Sequence, residues 1–212
     1  LAVGQGARDM INAQIAALGT NVLLIFPGAH TSGGVRMEAG SSSRLNEDDV
    51  VAIKKTCPAV RYASPLARTT QQVKAGNQNW RTSINGAYTE YLDIRDWSLQ
   101  DGINYSETDE RGANKGGVIG QNIVENLFGA GSDALGQTIR IRNLPFKVVG
   151  VLSEKGQNAM GQDQDDIIIA PFSTVQKKVM GITFANSLIA SATSEAQIEE
   201  ARQEINQALT DR

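Results

Sequence analysis

The stretch that most constrains the fold is residues 137–152, where two strand-like runs stand on either side of a turn sequence. In residues 137–142 apolar and polar residues alternate cleanly, and residues 146–152 are rich in valine. Successive side chains of a strand point to opposite faces of a sheet, so such alternation fixes the buried face and the register. With Asn143-Leu144-Pro145 as the turn between them, the two runs predict an antiparallel hairpin.

A second hairpin is predicted earlier in the chain. Residues 60–73 and 80–85 contain many β-branched and aromatic residues, which favour strands. They flank residues 74–77, whose sequence Lys-Ala-Gly-Asn is typical of a turn. The spacing therefore predicts two antiparallel strands joined by this turn.

Three further strands are predicted from short apolar or alternating runs. Residues 22–26 form the longest apolar run and have the length of a strand that is buried on both faces. Residues 187–192 alternate, and residues 167–169 are a run of three isoleucines. We expect strands 22–26 and 187–192 to pair in one sheet, and strand 137–142 to lie in a different sheet.

Two helices are predicted in the first quarter of the chain. Residues 7–18 place apolar side chains on one helical face, and Gly19 follows where a left-handed cap is favoured. Asn46 is a good N-cap for a helix over residues 47–56, whose first turn carries three acidic residues. Residues 29–43, which follow strand 22–26, are rich in glycine and serine and predict a loop.

Helices are also predicted in the second half of the chain. Residues 121–128 predict a short helix that ends at Gly129. Near the C-terminus, Ser194 and Gln197 have the spacing of a capping box, and the apolar residues that follow recur with helical spacing. The C-terminal segment is therefore predicted to be an amphipathic helix.

The order of these elements predicts an α+β fold, because helix and strand signals mix without the rhythm of βαβ units. The glycine- and asparagine-rich tract at residues 102–117 and the strands after it differ in texture from both ends of the chain. We therefore expect residues 97–166 to form an inserted subdomain. Residues 1–96 and 167–212 would form the two parts of the other subdomain.

Composition excludes several classes of function. The chain has 212 residues and a formal net charge of -3, without the clustered lysine and arginine that nucleic acid binding requires, so no nucleic acid partner is expected. It contains no run near the roughly 20 apolar residues that a membrane helix needs. Because the chain begins with Leu1 rather than methionine, we expect it to be an excised, soluble piece of a longer protein.

No catalytic or cofactor-binding residue is predicted. His30 is the only histidine and has no recognisable nucleophile or metal-ligand partner, so it is interpreted as a surface residue. Cys57, the only cysteine, is interpreted as a small buried residue. The glycine groups near residues 4–6 and 28–34 lack the Lys-Ser or Lys-Thr of a phosphate-binding loop, so ATP hydrolysis by the Walker chemistry is not expected.

An acidic run near residue 165 is the remaining candidate for a metal site. Asp163, Asp165 and Asp166 resemble part of a calcium loop, but the glycine and the distant glutamate of that loop are missing. The run is interpreted as a solvated loop before strand 167–169, and no metal is predicted. We therefore expect a protein that binds partners or moves against them, and not an enzyme.

Several blocks of sequence carry a family resemblance, and they keep a fixed order over almost the whole chain. The blocks are residues 4–8 (GQGAR), 18–28 (LGTNVLLIFPG), 118–120 (VIG), 127–129 (LFG), 135–141 (LGQTIRI), 145–152 (PFKVVGVL) and 164–171 (QDDIIIAP). Together they resemble the periplasmic core domain of MacB-type ABC transporter permeases. Each block also has a structural explanation, since glycine suits caps and proline suits element ends, so none is predicted to be a functional site.

The resemblance implies a fold, a location and partners. It implies a porter-like mixed α/β subdomain, residues 1–96 and 167–212, with an inserted, mostly-β, Sabre-like subdomain, residues 97–166. It implies a periplasmic location in a bacterial inner-membrane protein that is a homodimer at full length. The implied partners are a cytoplasmic ATPase domain or subunit and, as candidates, a periplasmic adaptor and an outer-membrane channel.

The resemblance also implies a function, for which an alternative stays open. The leading hypothesis is mechanical coupling of ATP hydrolysis in the cytoplasm to export or to periplasmic partners. The alternative is a ligand-sensing or signalling domain on a permease-like protein that moves no substrate. An apolar pocket would favour the alternative, and exposed loops would favour docking. The loops at residues 28–43 and 153–164 are where partner contacts are expected to differ, although neither has a clear aromatic or charged anchor.

Overall fold

The structure, a computed structural model, describes residues 13–17, 21–28, 31–32, 35–36 and 44–212. The chain forms two compact units. Unit 1 takes the described residues up to Leu66 together with Asp93–Arg95 and Thr183–Arg212. Unit 2 takes Ala67–Leu92 and Asp96–Ile182. Helices and sheet occur in both, so the predicted α+β class is confirmed.

The strands of the described residues are numbered in chain order. They are β1 (Ala13–Ala17), β2 (Val22–Pro27), β3 (Thr31–Ser32), β4 (Val35–Arg36), β5 (Val60–Ala75), β6 (Gln78–Ala87), β7 (Leu99–Gly102), β8 (Gly116–Ile119), β9 (Thr138–Ile141), β10 (Leu144–Leu152), β11 (Ile167–Pro171) and β12 (Ser187–Ala192). The helices are α1 (Glu47–Thr56), α2 (Tyr91–Ile94), α3 (Glu107–Gly112), α4 (Gln121–Phe128) and α5 (Ile198–Thr210), with a π-helix at Thr174–Met180 and a 3₁₀ turn at Glu195–Gln197.

Unit 1 is an antiparallel sheet packed against helices. Its strand order is β1-β2-β12-β5, and β12 pairs with residues 60–66 of β5. The expected pairing of strands 22–26 and 187–192 in one sheet is therefore confirmed. Helix α5 packs against α1, β1, β2 and β12, and its apolar face buries Ala201, Ile205 and Leu209. Burial of these apolar side chains is expected to contribute to the stability of the unit.

Helix α1 has the start predicted from the sequence. The Asn46 side chain accepts the backbone N–H groups of Asp48 and Asp49, and the Asp49 carboxylate accepts the Asn46 N–H at 2.9 Å. The same carboxylate lies 2.7 Å from Nε of Arg212, just beyond the end of α5. Because the Asp49 side chain is only 6% exposed, this ion pair links the two helices in a region of reduced solvent screening.

The predicted helix over residues 7–18 is wrong where the structure describes it. Residues 13–17 form β1, which pairs antiparallel with β2 from Ala13↔Pro27 to Ala17↔Leu23. The helical spacing of apolar residues is a weak signal over so short a segment, and backbone hydrogen bonds along an open strand edge override it. Residues 7–12 and residue 18 lie outside the described part of the chain.

Unit 2 is a mixed sheet with helices. Strand β11 pairs parallel with β6 and antiparallel with β8, and β8 pairs parallel with β10. Strand β10 also pairs antiparallel with β7 and β9. Helix α4 contacts β6 and β11, and it buries Ile123, Val124 and Leu127. Strands 60–73 and 80–85 form the predicted hairpin, with β5 and β6 neighbours in the sheet and Gly76 in the turn at φ +57°.

Strand β5 belongs to both units. Residues 60–66 pair with β12 in unit 1, and Val73 and Lys74 pair with β9 in unit 2. The expectation that strands 22–26 and 137–142 lie in different sheets is therefore wrong, because hydrogen-bonded strands connect them through β5. All of residues 97–166 lie in unit 2, but unit 2 also includes residues 67–92. The assignment of residues 97–166 to a Sabre-like insertion stays a prediction.

Several local predictions need correction. The β9–β10 turn is the two residues Arg142 and Asn143, both at positive φ, because this geometry matches the twist of a tight hairpin better than the longer turn expected. Ser194 makes no capping hydrogen bond, and a 3₁₀ turn precedes α5 instead. The tract at residues 102–117 contains helix α3, which is capped by Ser106 and was not expected.

Two predicted segments are described only in part. Within the loop expected at residues 29–43, β3 and β4 form a short antiparallel pair from Thr31↔Arg36 to Ser32↔Val35. The remaining residues of that segment, His30 among them, lie outside the described part of the chain. In the residues that the structure does describe, no helix has the length and apolar character needed to cross a membrane.

Substitution of Gly86 tests how closely β6 packs against the π-helix in unit 2. A Cβ atom at this position would lie 2.6 Å from Cβ of Val175 in the π-helix, closer than side chains tolerate. We expect Gly86→Ala to lower the free energy of unfolding by about 1–3 kcal/mol, as overpacking of a core does. Chemical denaturation monitored by circular dichroism measures the change.

The matched control is Gly117→Ala in β8 of the same unit. There a Cβ atom would have its nearest neighbours at 3.7 Å, an ordinary contact distance. We expect this variant to be neutral or slightly stabilising, because alanine restricts the unfolded chain more than glycine does. Equal destabilisation of both variants would contradict the close approach of β6 and the π-helix.

Candidate functional site

The most distinctive surface feature of unit 2 is the segment between β10 and β11, residues 153–166, which we call the 153–166 hairpin. Its first residue is fixed by Trp97 and Ser98. The Trp97 indole Nε1–H donates to the Ser153 carbonyl at 2.8 Å, and the Ser153 N–H donates to the Ser98 carbonyl at 2.9 Å. The Lys155 ammonium lies 5.3 Å from the centre of the Trp97 ring, within range of a cation–π interaction.

Asp165 anchors the base of the hairpin. Its carboxylate accepts the backbone N–H of Lys155 at 2.8 Å and that of Gly156 at 2.9 Å. The residue is only 4% exposed, and a buried carboxylate needs such charge-assisted hydrogen bonds to offset the loss of hydration. The Asp165 N–H in turn donates to Oδ1 of Asp163 at 2.9 Å.

The tip of the hairpin is ordered by Asn158. The Asn158 Oδ1 atom accepts the N–H groups of Met160 at 2.9 Å and Gln162 at 3.0 Å. The Asn158 N–H donates to the Gln162 carbonyl at 2.8 Å, and Gly161 takes a positive φ of +80° that closes the turn. These bonds hold Met160 at the apex, where it is 84% exposed.

Helix α4 is attached to the base of the same hairpin. The Asp165 carbonyl accepts the Asn122 N–H at 3.2 Å, and the Asn122 side chain donates to Oδ2 of Asp163 at 2.9 Å. A Cβ atom at Gly120, the residue before the helix, would lie 2.1 Å from the Asp165 carbonyl oxygen. Only glycine permits this close approach without a shift of the backbone.

A shallow cleft of about 220 Å³ lies between α4 and the hairpin base. Charged and amide side chains line most of it. They include Gln121, Asn122, Glu125, Glu154, Gln157 and Asp163. In the described part of the chain, no group of three or more His, Cys, Asp or Glu side chains is arranged to hold a metal ion.

The prediction that the acidic run is a solvated loop holds for only part of it. Asp163 is exposed, as expected of a solvated loop, but Asp165 is buried and holds the hairpin. Asp166 accepts hydrogen bonds from the Trp80 indole at 2.9 Å and the Thr82 hydroxyl at 2.6 Å. Residue spacing could not reveal these partners, because they come from β6, more than 80 positions away in the chain.

A second structural carboxylate, Glu110, was missed by the sequence reasoning. It accepts the N–H groups of Phe172 at 2.6 Å and Ser173 at 2.8 Å, at the start of the π-helix. At the other end of this helix, the Arg142 guanidinium donates to the Val179 carbonyl at 2.8 Å. Helix termini leave such backbone groups without partners, so Glu110 and Arg142 satisfy them from outside the helix.

Perturbed pKa values in the chain have structural causes. Burial raises the pKa of the Cys57 thiol, which is 3% exposed and was correctly predicted to be a buried residue. Burial also raises the pKa of Tyr105 well above its ordinary value, and the Tyr105 hydroxyl donates to the Ala87 carbonyl at 2.7 Å. Hydrogen bonds from the Asn114 side chain and the Ser106 backbone lower the pKa of Asp109 in the α3 capping box.

Comparison with known families confirms the resemblance seen in the sequence. Residues 1–208 match the family described as MacB-like periplasmic core domain. The chain is 41% identical over 198 residues to the macrolide export ATP-binding/permease protein MacB of Syntrophobacter fumaroxidans, a match that covers 92% of this chain and 28% of the relative. It is 32% identical over 212 residues to the pyoverdine export ATP-binding/permease protein PvdT of Pseudomonas putida, covering 100% of this chain and 31% of the relative.

Solved structures share the fold. The periplasmic region of MacB from Actinobacillus actinomycetemcomitans superposes with a TM-score of 0.74 at 22% identity, covering 92% of this chain and 85% of that one. The extracellular domain of the ABC-type transporter YknZ from Gram-positive bacteria gives a TM-score of 0.73 at 21% identity, covering 90% of this chain and 94% of that one. These neighbours confirm the predicted fold class, whereas the bounds given to its inserted part, residues 97–166, stay a prediction.

Replacing Asp165 tests whether its carboxylate holds the hairpin. In Asp165→Asn, an NH₂ group would face one of the two backbone N–H groups that now donate to an oxygen. We expect the free energy of unfolding to fall by about 1–3 kcal/mol, the usual cost of a buried donor left without an acceptor. Urea denaturation measures this change.

Asp133→Asn is the matched control for this substitution. Asp133 is exposed and accepts one N–H, from Leu135 at 3.2 Å, so the same chemical change should alter stability by less than about 0.5 kcal/mol. If Asp165→Asn is as stable as this control, Asp165 does not anchor the hairpin.

Proposed function

Because this chain belongs to the family of MacB-like periplasmic core domains, we propose that it is the extracytoplasmic domain of an ABC transporter permease. In this function the domain couples ATP hydrolysis in the cytoplasm to export, by passing on movement of the membrane-spanning segments. The domain itself performs no catalysis. The ATPase belongs to another domain of the same protein or to a separate subunit.

The relatives support this proposal. Their names combine ATP binding, a permease and export, of macrolides in one case and of pyoverdine in the other. The chain spans less than a third of the length of these relatives. We propose that the remainder of the intact protein supplies the membrane anchor in the bacterial inner membrane and forms a homodimer. A periplasmic adaptor and an outer-membrane channel complete the proposed efflux assembly.

Strand β5 is the observation that carries the mechanical part of the proposal. It is 16 residues long and contributes residues 60–66 to unit 1 and residues 67–75 to unit 2. Each part is hydrogen-bonded within its own unit, to β12 and to β9. An extended strand held by a ladder cannot lengthen, since its backbone is already near full extension. We propose that a pull along the strand axis at one end is therefore passed to the other end.

The alternative function is a sensing domain on a permease that moves no substrate. It would favour an apolar pocket with a few polar groups. The cleft beside the 153–166 hairpin is lined mostly by charged and amide side chains. A second cleft of about 270 Å³ in unit 1 is lined by Ile15 and by Glu199, Arg202, Gln203 and Asn206 of α5. The linings of these two clefts, both in the described part of the chain, are more polar than an apolar ligand favours.

Two glycines in β5 test mechanical coupling in the intact transporter. Leu66→Gly with Ala67→Gly introduces freedom at the residues where the strand passes from unit 1 to unit 2. In proteoliposomes with a macrolide as probe substrate, we expect ATP hydrolysis to stay within about twofold of the unmodified protein. Export per ATP should fall by about fivefold or more, because a softened strand passes on less of each movement.

The control is Thr69→Gly with Thr70→Gly, in the same strand but wholly within unit 2. It carries the same number of glycines, so the backbone freedom that two glycines add to the strand is present here too. We expect export per ATP to be preserved. Equal loss of export in both variants, or preserved export in the Leu66–Ala67 variant, would argue against coupling through β5.

A further inference from the structure

We propose that the 153–166 hairpin docks onto a protein partner that presents an apolar socket for Met160 beside a basic side chain. The proposal rests on three features of unit 2: the fixed conformation of the hairpin, the exposure of Met160 at its apex, and the distribution of charge between tip and base. It deepens the proposed function by naming a contact surface of the domain and the chemistry of its partner.

The hairpin is already ordered without a partner. Its base is fixed by the buried Asp165 carboxylate, its middle by the Gln164 N–H bond to the Gly156 carbonyl at 3.0 Å, and its tip by Asn158. A loop that is fixed before binding loses little conformational entropy on association. Such an arrangement favours recognition by shape, with the tip as the inserted part.

The apex suits an apolar socket. Met160 is 84% exposed, whereas most large apolar side chains of the described chain are buried. Methionine is flexible and polarisable, so it fills apolar pockets of varied shape. One exposed apolar residue on a protein surface is ordinary, but this one stands at the end of a fixed hairpin whose tip residues, 157–162, are all exposed.

The charge pattern defines the rest of the partner. Residues 156–162 contain no ionisable side chain, so the tip itself offers nothing to an ionic surface. The cleft at the base carries the exposed carboxylates Glu125 and Glu154. Asp163 and Asp165 also lie there, but their carboxylates already accept hydrogen bonds from α4 and from the hairpin backbone. Partners with a lysine or arginine next to the socket would complement this cleft.

The same pattern disfavours a membrane surface as the partner. Anionic lipid headgroups attract clusters of lysine and arginine, and the hairpin between Gly156 and Asp166 carries none. A tip of this size would bury much less than a standard protein interface, so we expect weak, transient binding that a tethered or assembled complex reinforces.

The first experiment identifies the contact. A benzophenone amino acid replaces Met160 in the full-length protein, in the cells that produce it, and crosslinked peptides are identified by mass spectrometry. The same amino acid at Ile103, which is 72% exposed in the same unit, is the control. We expect position 160, and not position 103, to crosslink to one protein, at an apolar segment with a lysine or arginine nearby.

The second experiment measures binding between the purified full-length protein and the purified partner identified in this way. We expect Met160→Gln to weaken binding by about tenfold or more, because glutamine keeps the length of methionine but loses the apolar contact. Ile103→Gln should leave binding unchanged. Glu125→Gln with Glu154→Gln should reduce the dependence of binding on salt concentration, since it removes the carboxylates at the base.

Several outcomes would overturn the proposal. Crosslinks from position 160 only to lipid, only to a second copy of this chain, or no more than from position 103 would do so. Equal binding of the Met160→Gln and Ile103→Gln variants would also refute it. Transport is not read in either experiment, so loss of coupling through β5 and failure of docking at the hairpin can be told apart.

Discussion

The buried carboxylate of Asp165 is the contact on which the functional surface of unit 2 depends. A carboxylate loses much hydration when it is buried, so it persists only where donors surround it. Here the donors are the backbone N–H groups of Lys155 and Gly156, which fix the base of the 153–166 hairpin. The carbonyl of the same residue receives the Asn122 N–H at the start of α4. One residue thus connects the hairpin, a helix and strand β11.

Other acidic residues of unit 2 follow the same principle. Glu110 accepts two N–H groups at the start of the π-helix, and Asp166 accepts a tryptophan and a threonine of β6. Each of these carboxylates is engaged by backbone or side-chain donors of another element. This engagement explains why acidic residues that suggest chemistry in the sequence serve structure instead, and it leaves Glu125 and Glu154 at the cleft as the acids suited to a partner.

The sequence predicted those elements whose signals are local. Helix α1 occupies residues 47–56 as expected, because its cap and its acidic first turn lie within a few residues of each other. Residues 13–17 were predicted to be part of a helix, but they form a strand because they pair with β2. No local sequence pattern encodes this pairing. Residues 153–164, which form most of the 153–166 hairpin, were predicted only as a loop for partner contacts. The hairpin is ordered because Asp165 and Asn158 accept backbone N–H groups. These hydrogen bonds follow from the folded geometry and cannot be read from the spacing of residues in the sequence.

The contacts of Asp165 and Asn158 hold the 153–166 hairpin in its presenting conformation without a partner. Amide hydrogen exchange of residues 155–162 in the unmodified full-length protein tests whether they do. We expect the Lys155 and Gly156 amides to exchange nearly as slowly as those of β10, and the Met160 and Gln162 amides at least about tenfold more slowly than in an unfolded chain. Exchange of all these amides at the rate of an unfolded peptide would contradict the claim.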